Sequence, residues 1–337
     1  MKLRTTKRAA ALALAAALTL GGSAQALFGK KQPAAQAEEG APTARAEEGA
    51  PTARAVEVRT YRDIPVQGQF LASDSEGEDM TFALAEEPRK GTVTIQGANF
   101  TYTPDEGITG ADSFTYTATD SAGHVSQPAT VTVTIEKTKS GVTYADTRDS
   151  AAAAAAQHLA EAGIFTGTKI GEQYYFQPDT EVSRSEFLAM VMETTGREVT
   201  PVTMTGFCDD GAIPTWAKAY AAAGVADGII QGKNTAEGAA FQGDQAITFN
   251  EAATVLDRVL DLGDVELDVW YADREAVPSW AAQAVGNMEA VNVLSAGSFG
   301  SQTMEQAMTR ADAAQMLSAA KTLLDGEKPG GMFGWLG

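Results

Sequence analysis

A five-residue pattern occurs three times in the second half of the chain and dictates the local structure around each copy. It reads Val182-Ser183-Arg184-Ser185-Glu186, then Ile247-Thr248-Phe249-Asn250-Glu251, then Met308-Thr309-Arg310-Ala311-Asp312. Each copy has an apolar residue first, a hydroxyl second and a carboxylate fifth. A hydroxyl with an acid three positions later is a capping box: the hydroxyl accepts the N3 amide and the acid reaches back to the cap amide. Behind the acids come Phe187, Met190 and Val191, then Ala252, Val255 and Leu256, then Ala313, Met316 and Leu317. That spacing of i, i+3 and i+4 is one helix face. Three helices therefore start at equivalent positions, each with an apolar face to bury against its neighbours.

The cap accounts for the hydroxyl and the acid but not for Arg184 and Arg310. A cation in the first helical turn faces the positive end of the macrodipole. Two readings stand side by side. The guanidinium is solvated or paired with a local carboxylate, or an anion binds where free helix amides and the guanidinium converge.

The repeat extends upstream of each helix. Tyr144-Ala145-Asp146, Phe207-Cys208-Asp209 and Tyr271-Ala272-Asp273 open three units. Trp216-Ala217 and Trp280-Ala281 each begin seven residues after their aspartate. Gly163 to Gly167 and Gly224 to Gly232 close a first helix, and Phe176, Phe241 and Phe299 precede the second. Internal periodicity of this kind points to helical pairs packed in a stack or a ring.

The first half is different. Residues 56–136 carry short alternating runs: Phe82 and Leu84, Val93 and Ile95, Phe100 and Tyr102, Phe114, Tyr116 and Ala118, and Val131, Val133 and Ile135, with threonines opposite and glycines between. About seven strands in about 80 residues predict an antiparallel β-sandwich. Asp74, Glu76, Glu78 and Asp79, with Asp120 from another loop, offer an oxygen-only set that suits calcium, the one candidate cation. A solvated acidic turn is the favoured reading, since EF-hand spacing is missing.

Residues 1–26 read as a secretory signal peptide: Lys2, Arg4, Lys7 and Arg8, an apolar run, then Ala24-Gln25-Ala26. Residues 27–55 are a disordered spacer of alanine, glutamate and proline in which a nine-residue unit is repeated. Residues 137–141 form a polar linker, and 326–337 a flexible tail ending Met332-Phe333-Gly334-Trp335-Leu336. The formal net charge of −19 argues against a nucleic-acid partner. No stretch is long and apolar enough to predict a membrane span. Cys208 is the only cysteine, so no intrachain disulfide forms; it is expected to be a small buried residue.

Two family resemblances follow from these residues. Ala72-Ser73-Asp74 to Met80-Thr81-Phe82, Gly91-Thr92-Val93, Phe100-Thr101-Tyr102-Thr103-Pro104 and Gly110-Ala111-Asp112-Ser113-Phe114 resemble the bacterial Ig-like, cadherin-like modules of surface proteins. Such modules serve as spacers or adhesive units. The aromatic-x-Asp opening, Trp-Ala, glycine-bounded turn and Thr-Arg-Ala-Asp helix start resemble the S-layer homology (SLH) family over residues 144 to about 324. That resemblance implies an all-α, pseudo-trimeric bundle of three repeats, 142–200, 201–265 and 266–325, that binds secondary cell-wall polymer, often pyruvylated. The pattern has departures: Ala153 for tryptophan, Phe249 for arginine, Gly243 where Pro178 stands in the first unit, Asp312 for glutamate. In unit three, Ala290-Val291-Asn292-Val293-Leu294 lacks the glycine turn.

The expected protein is multidomain, a sandwich followed by the repeat bundle, secreted and held non-covalently at the cell wall or cell surface. Its expected partner is secondary cell-wall polymer or a peptidoglycan-linked glycan. Polymer contacts are expected at Arg184, Arg310, Ser183, Thr309, Asp146, Asp209 and Asp273, and at Trp216 and Trp280, which read equally as core. The sandwich's partner is not legible. The alternatives are a self-assembling surface-layer subunit and, less favoured, a wall-modifying hydrolase using paired carboxylates. His124 and His158 are the only histidines, and no metal spacing, nucleophile elbow or phosphate loop occurs, so no catalytic residue is assigned.

Overall fold

The computed structural model describes residues 49–74, 79–164, 167–271, 274–295 and 297–326, the side chain of Trp270 excepted. The expected signal peptide, most of the spacer, Glu76, Glu78, Asp273 and nearly all of the tail lie outside the described residues.

Among the described residues nine strands come first: β1 Thr52–Arg54, β2 Val56–Tyr61, β3 Val66–Gln69, β4 Leu71–Ser73, β5 Thr81–Glu86, β6 Gly91–Gln96, β7 Asn99–Pro104, β8 Gly110–Thr119 and β9 Ala129–Glu136. They form a four-stranded sheet ordered β2-β9-β8-β5, a three-stranded sheet β3-β7-β6 and a β1-β4 pair. Alternation does what the pattern predicts on β7, β8 and β9, whereas Ile95 of β6 is exposed. Along β9 Val131, Val133 and Ile135 are buried while the threonines between them face out. The rings of Phe100 and Phe114 meet edge to face at 5.3 Å between the sheets.

Two features depart from the expected antiparallel sandwich of residues 56–136. First, β2 and β9 run parallel, Val56 opposite Val131 and Val58 opposite Val133. The rest of the domain is the crossover that a parallel pair requires. Second, β1 lies inside the stretch expected to be spacer. It pairs with β4, and its Arg54 carbonyl sits 2.6 Å from the Tyr116 hydroxyl, which also accepts the Leu71 amide at 3.0 Å. One buried tyrosine thus ties both strands of the pair to the core.

The helical region holds α1 Ala153–Glu161, the hairpin β10 Thr168–Ile170 with β11 Gln173–Tyr175, and α2 Arg184–Thr194. Next come α3 Thr215–Ala226, the hairpin β12 Lys233–Thr235 with β13 Gly238–Ala240, and α4 Phe249–Leu260. Then follow α5 Leu267–Trp270, α6 Ala282–Ala290, a 3-10 turn Gln302–Glu305 and α7 Arg310–Leu324. The three expected caps form at Ser183, Thr248 and Thr309, each a complete capping box. Asp312 serves as well as glutamate there. All nine apolar positions read from the repeat are buried.

The helices pack in a cycle. The first helix of each unit lies on the second helix of the unit before: α3 on α2, α6 on α4, and α1 on α7. At the centre three cap-flanking residues close a ring of backbone hydrogen bonds. The Ile247 amide donates to Val182, the Met308 amide to Ile247, and the Val182 amide to Met308, at 2.8 to 2.9 Å. These are the apolar first residues of the five-residue pattern, and all three are buried. The opening aromatic of each unit packs on the phenylalanine before its second helix: Tyr144 on Phe176, Phe207 on Phe241, Tyr271 on Phe299.

The glycine turn expected to be missing from unit three is present with asparagine. Gly163, Gly228 and Asn292 occupy the same left-handed position, φ 71°, 73° and 65°, after α1, α3 and α6. Asparagine is the residue other than glycine that tolerates this region best.

The expected linker is clamped: Lys139 and Ser140 donate backbone amides to Glu161 of α1 at 2.7 and 2.9 Å. Ala154 of α1 joins the hydrophobic core of the sandwich, beside Val56 and Val58. Ala153, standing where the other units have tryptophan, is 2% exposed. Cys208 is exposed, against expectation, because it lies on the outer side of an aromatic-x-Asp opening whose Phe207 and Asp209 turn inward.

Candidate functional site: the seams between repeats

Each capped helix begins at a seam with the next unit, and the two arginines lie in two of these seams. Arg184 donates Nε–H to the Phe241 carbonyl at 3.0 Å and pairs through Nη1 with Glu251 at 2.8 Å. Lys233 of the β12–β13 hairpin reaches the same Glu251 oxygen at 3.0 Å. Burial alone would push the Glu251 carboxyl up; Arg184, Lys233 and the Thr248 amide outweigh it and hold the group below the usual range. Two cations therefore share one carboxylate in a chain of strongly negative net charge. Arg310 repeats the geometry across the ring. Its Nε–H donates to the Phe176 carbonyl at 2.6 Å, and its guanidinium lies 5.4 Å from the Phe176 ring.

The expected aspartates set up these acceptors. Asp146 takes the amides of Phe176 and Gln177, both at 2.8 Å. Asp209 takes those of Phe241 and Gln242 at 2.8 and 2.7 Å. Gln177 and Gln242 have positive φ, 59° and 54°, so each carboxylate holds a strained loop that aims a phenylalanine carbonyl at an arginine. In unit three the Phe299 amide goes to Glu289 at 2.9 Å.

The anion reading of the helix starts assumed free amides, and α2 and α7 do not have them. Arg184 and Ser185 donate backbone N–H to Gln245 and Gly243, and Arg310 and Ala311 donate to Thr180 and Pro178, all at 2.8 to 2.9 Å. Ser183 and Thr309 spend their hydroxyls on the caps, bonding Glu186 at 2.8 Å and Asp312 at 2.6 Å. What remains open to a ligand is the cationic cluster itself. Trp216 and Trp280 are 52% and 58% exposed, which removes the core reading.

Of the calcium candidates, Asp120 receives the His124 amide and ring at 2.8 and 2.9 Å. Asp74 and Asp79 flank residues outside the described set. Among the described residues no group of three or more potential metal ligands comes together, and no helix is long and apolar enough to cross a membrane. His158 bonds Ser318 of α7 at 2.7 Å.

Sequence reading missed Lys233 and the seam role of Glu251. The acid was legible only as a cap, because nothing in spacing says which unit follows which around the ring.

Comparison with known proteins gives the first half a family. Residues 41–137 match the bacterial cadherin-like domain, which agrees with β1 belonging to the sandwich. No curated protein matches the chain. Solved structures similar to it include the endo-fucoidan hydrolase MfFcnA4 from glycoside hydrolase family 107, 19% identical over 28% of this chain and 15% of that one, with a TM-score of 0.24. They also include fibronectin(III)-like modules of Clostridium thermocellum CbhA, 17% identical over 27% and 48% of the two chains, TM-score 0.20. Drosophila N-cadherin EC1-3 is 13% identical over 27% and 35%, TM-score 0.21. The chain thus spans less than half the length of each of these proteins. Its N-terminal half contains a bacterial cadherin-like domain, and a helical region follows it.

Proposed function

We propose that the helical region is an SLH-type bundle that holds a secreted protein non-covalently on the cell wall by binding anionic secondary polymer at its seams. The observation that carries this reading is the Arg184–Glu251–Lys233 cluster, a locally net-positive site on a chain of net charge −19. Long-range fields repel an anionic polymer from such a chain, so affinity has to come from local charge-assisted hydrogen bonds. Lys233 is the more exposed cation and the first that a ligand meets; Arg184 is held rigid behind it. Exposed Trp216 and Trp280 supply flat faces for sugar rings. The cadherin-like domain, docked against α1 through Ala154, then serves as a spacer or adhesive unit.

Co-sedimentation with wall sacculi, before and after acid stripping of the secondary polymer, tests the reading. Binding is expected before stripping and lost after it. Binding that survives stripping overturns the polymer as ligand. The surface-layer alternative is separated by size: an anchor stays monodisperse, whereas a layer subunit forms sheets or large assemblies.

A further inference from the structure

The third seam, between α4 and the loop of unit three, is built differently from the other two. In the first two seams the loop carbonyls accept the first two amides of the neighbouring capped helix. In unit three the loop winds into the 3-10 turn Gln302–Glu305. Its own amides take the carbonyls instead: Met304 donates to Ser301 at 3.2 Å and Gln306 to Thr303 at 3.0 Å. Among the described residues the Phe249 and Asn250 amides, at the start of a twelve-residue helix, have no such acceptor.

A second observation is independent of the helix start. The side chain of Asn250 is buried, 3% exposed, and its Oδ1 has no hydrogen-bond partner. A buried acceptor left without a donor costs about 1–3 kcal/mol, so its retention calls for a ligand. Asn250 lines a cavity of about 140 Å³ walled by Gly300, Ser301 and Met304. Ser301 and Met304 also line a larger cavity of about 640 Å³ between the repeats and the β2–β3 face of the sandwich. That volume lies within the range of small-ligand sites.

The lining decides the chemistry. Phe249 stands where the other two seams place arginine, and with Tyr61 of the sandwich it supplies aromatic surface. Amides of Gln67, Asn99 and Gln315 and hydroxyls of Ser298, Ser301 and Thr303 supply donors and acceptors of both kinds. The charges on the walls are committed or open to solvent. Arg59 pairs with Glu136, Asp312 closes its cap, and Glu57 and Glu305 are exposed. His158 is held below its ordinary range by burial and by Arg59 and Lys321, so it is neutral at neutral pH.

We propose that this third seam is a binding site for an uncharged oligosaccharide, with one wall provided by the cadherin-like domain. Sugar hydroxyls both donate and accept, so one ring satisfies the helix amides and Asn250 Oδ1 together. Among the described residues Arg59 is the one lysine or arginine of this lining and is matched by Glu136, while Glu57, Glu305 and Asp312 make the walls net acidic, which disfavours an anionic ligand. The two domains then grip one ligand between them, and the site is absent from either domain alone.

Isothermal titration of the full mature chain with chitotriose, cellotriose and maltotriose tests the proposal. At least one of the three is expected to bind. Asn250→Leu, which removes the acceptor while keeping the volume, is expected to weaken that binding at least fivefold while the melt of the free protein holds or rises, since the unpaired acceptor is gone. Should Asn250→Leu fail to fold, Ser298→Trp blocks the larger cavity from its loop side and is expected to abolish binding. No binding by any of the three sugars, or equal binding by the folded variants, overturns the site. Sacculus co-sedimentation of Asn250→Leu reads the cationic seam separately, so failure of one site is distinguishable from failure of the other.

Discussion

The Nε–H of Arg310 donates to the carbonyl oxygen of Phe176 at 2.6 Å, across 134 positions of the chain. The last repeat is thereby fastened to the first. The same bond recurs from Arg184 to Phe241, between first and second. These arginines belong to the architecture as well as to the candidate site, and the first prediction separates the two roles.

Arg184→Ala and Arg310→Ala should each lower stability by about 1.5–3 kcal/mol, the range for a hydrogen bond to a charged group. Arg184→Lys should recover only part of this, since the planar fork that reaches Phe241 and Glu251 together is lost. Lys233→Gln should leave the melt within about 0.5 kcal/mol, because the lysine is exposed and Arg184 still pairs with Glu251, while weakening sacculus binding. Chemical denaturation beside co-sedimentation checks this. Undiminished binding by folded Lys233→Gln would remove the cluster from the proposed polymer site.

Trp216→Ala and Trp280→Ala should behave in the opposite way to core tryptophans. Because half of each ring is already in water, the loss of stability should stay below the ~3–5 kcal/mol of a buried aromatic. Sacculus binding should fall. Ala153→Trp should be the damaging change at the equivalent position, because the site is filled; overpacking costs about 1–3 kcal/mol. Thermal melts of the three variants rank them.

Single repeats should not fold. The faces of α3 and α4 are covered by α2 and α6 of the neighbouring units, so a fragment of residues 207–262 leaves both open. Circular dichroism of that fragment should show no cooperative melt, and deleting residues 266–326 should unfold the remaining helical region with it.

Acid should weaken the sandwich through Asp112. Burial alone would raise this carboxyl, but the Arg89 and Lys90 amides and the Tyr102 hydroxyl hold it below its ordinary range. A depressed carboxyl contributes stability that is present above the unfolded value of about 4 and lost as pH falls through the folded one. Stability of wild type should therefore drop below about pH 4, and Asp112→Asn should be less stable at neutral pH with a shallower acid slope. Denaturant titrations from pH 2 to 7 measure both slopes.

Gly228→Ala should cost about 1–2 kcal/mol, the penalty for a side chain at left-handed φ. Asn292→Gly should be neutral or slightly stabilising at the equivalent turn. Melting of both variants checks that one turn serves all three units.

The residues that speak for themselves in this chain are those whose job is local. Ser183, Thr248 and Thr309 announce caps, because a cap is made within four residues. Val131, Val133 and Ile135 announce a strand face, because inside and outside alternate with each residue. What the linear order does not carry is which unit sits beside which. Val182 bonding Met308, Glu251 serving both as cap and as counter-ion to Arg184, and Asp146 aiming the Phe176 carbonyl at Arg310 are all consequences of ring closure. The parallel β2–β9 pairing and the burial of Ala153 and Ala154 depend in the same way on segments distant in sequence. Such contacts are selected by the packing of whole faces, and only the tertiary structure decides them.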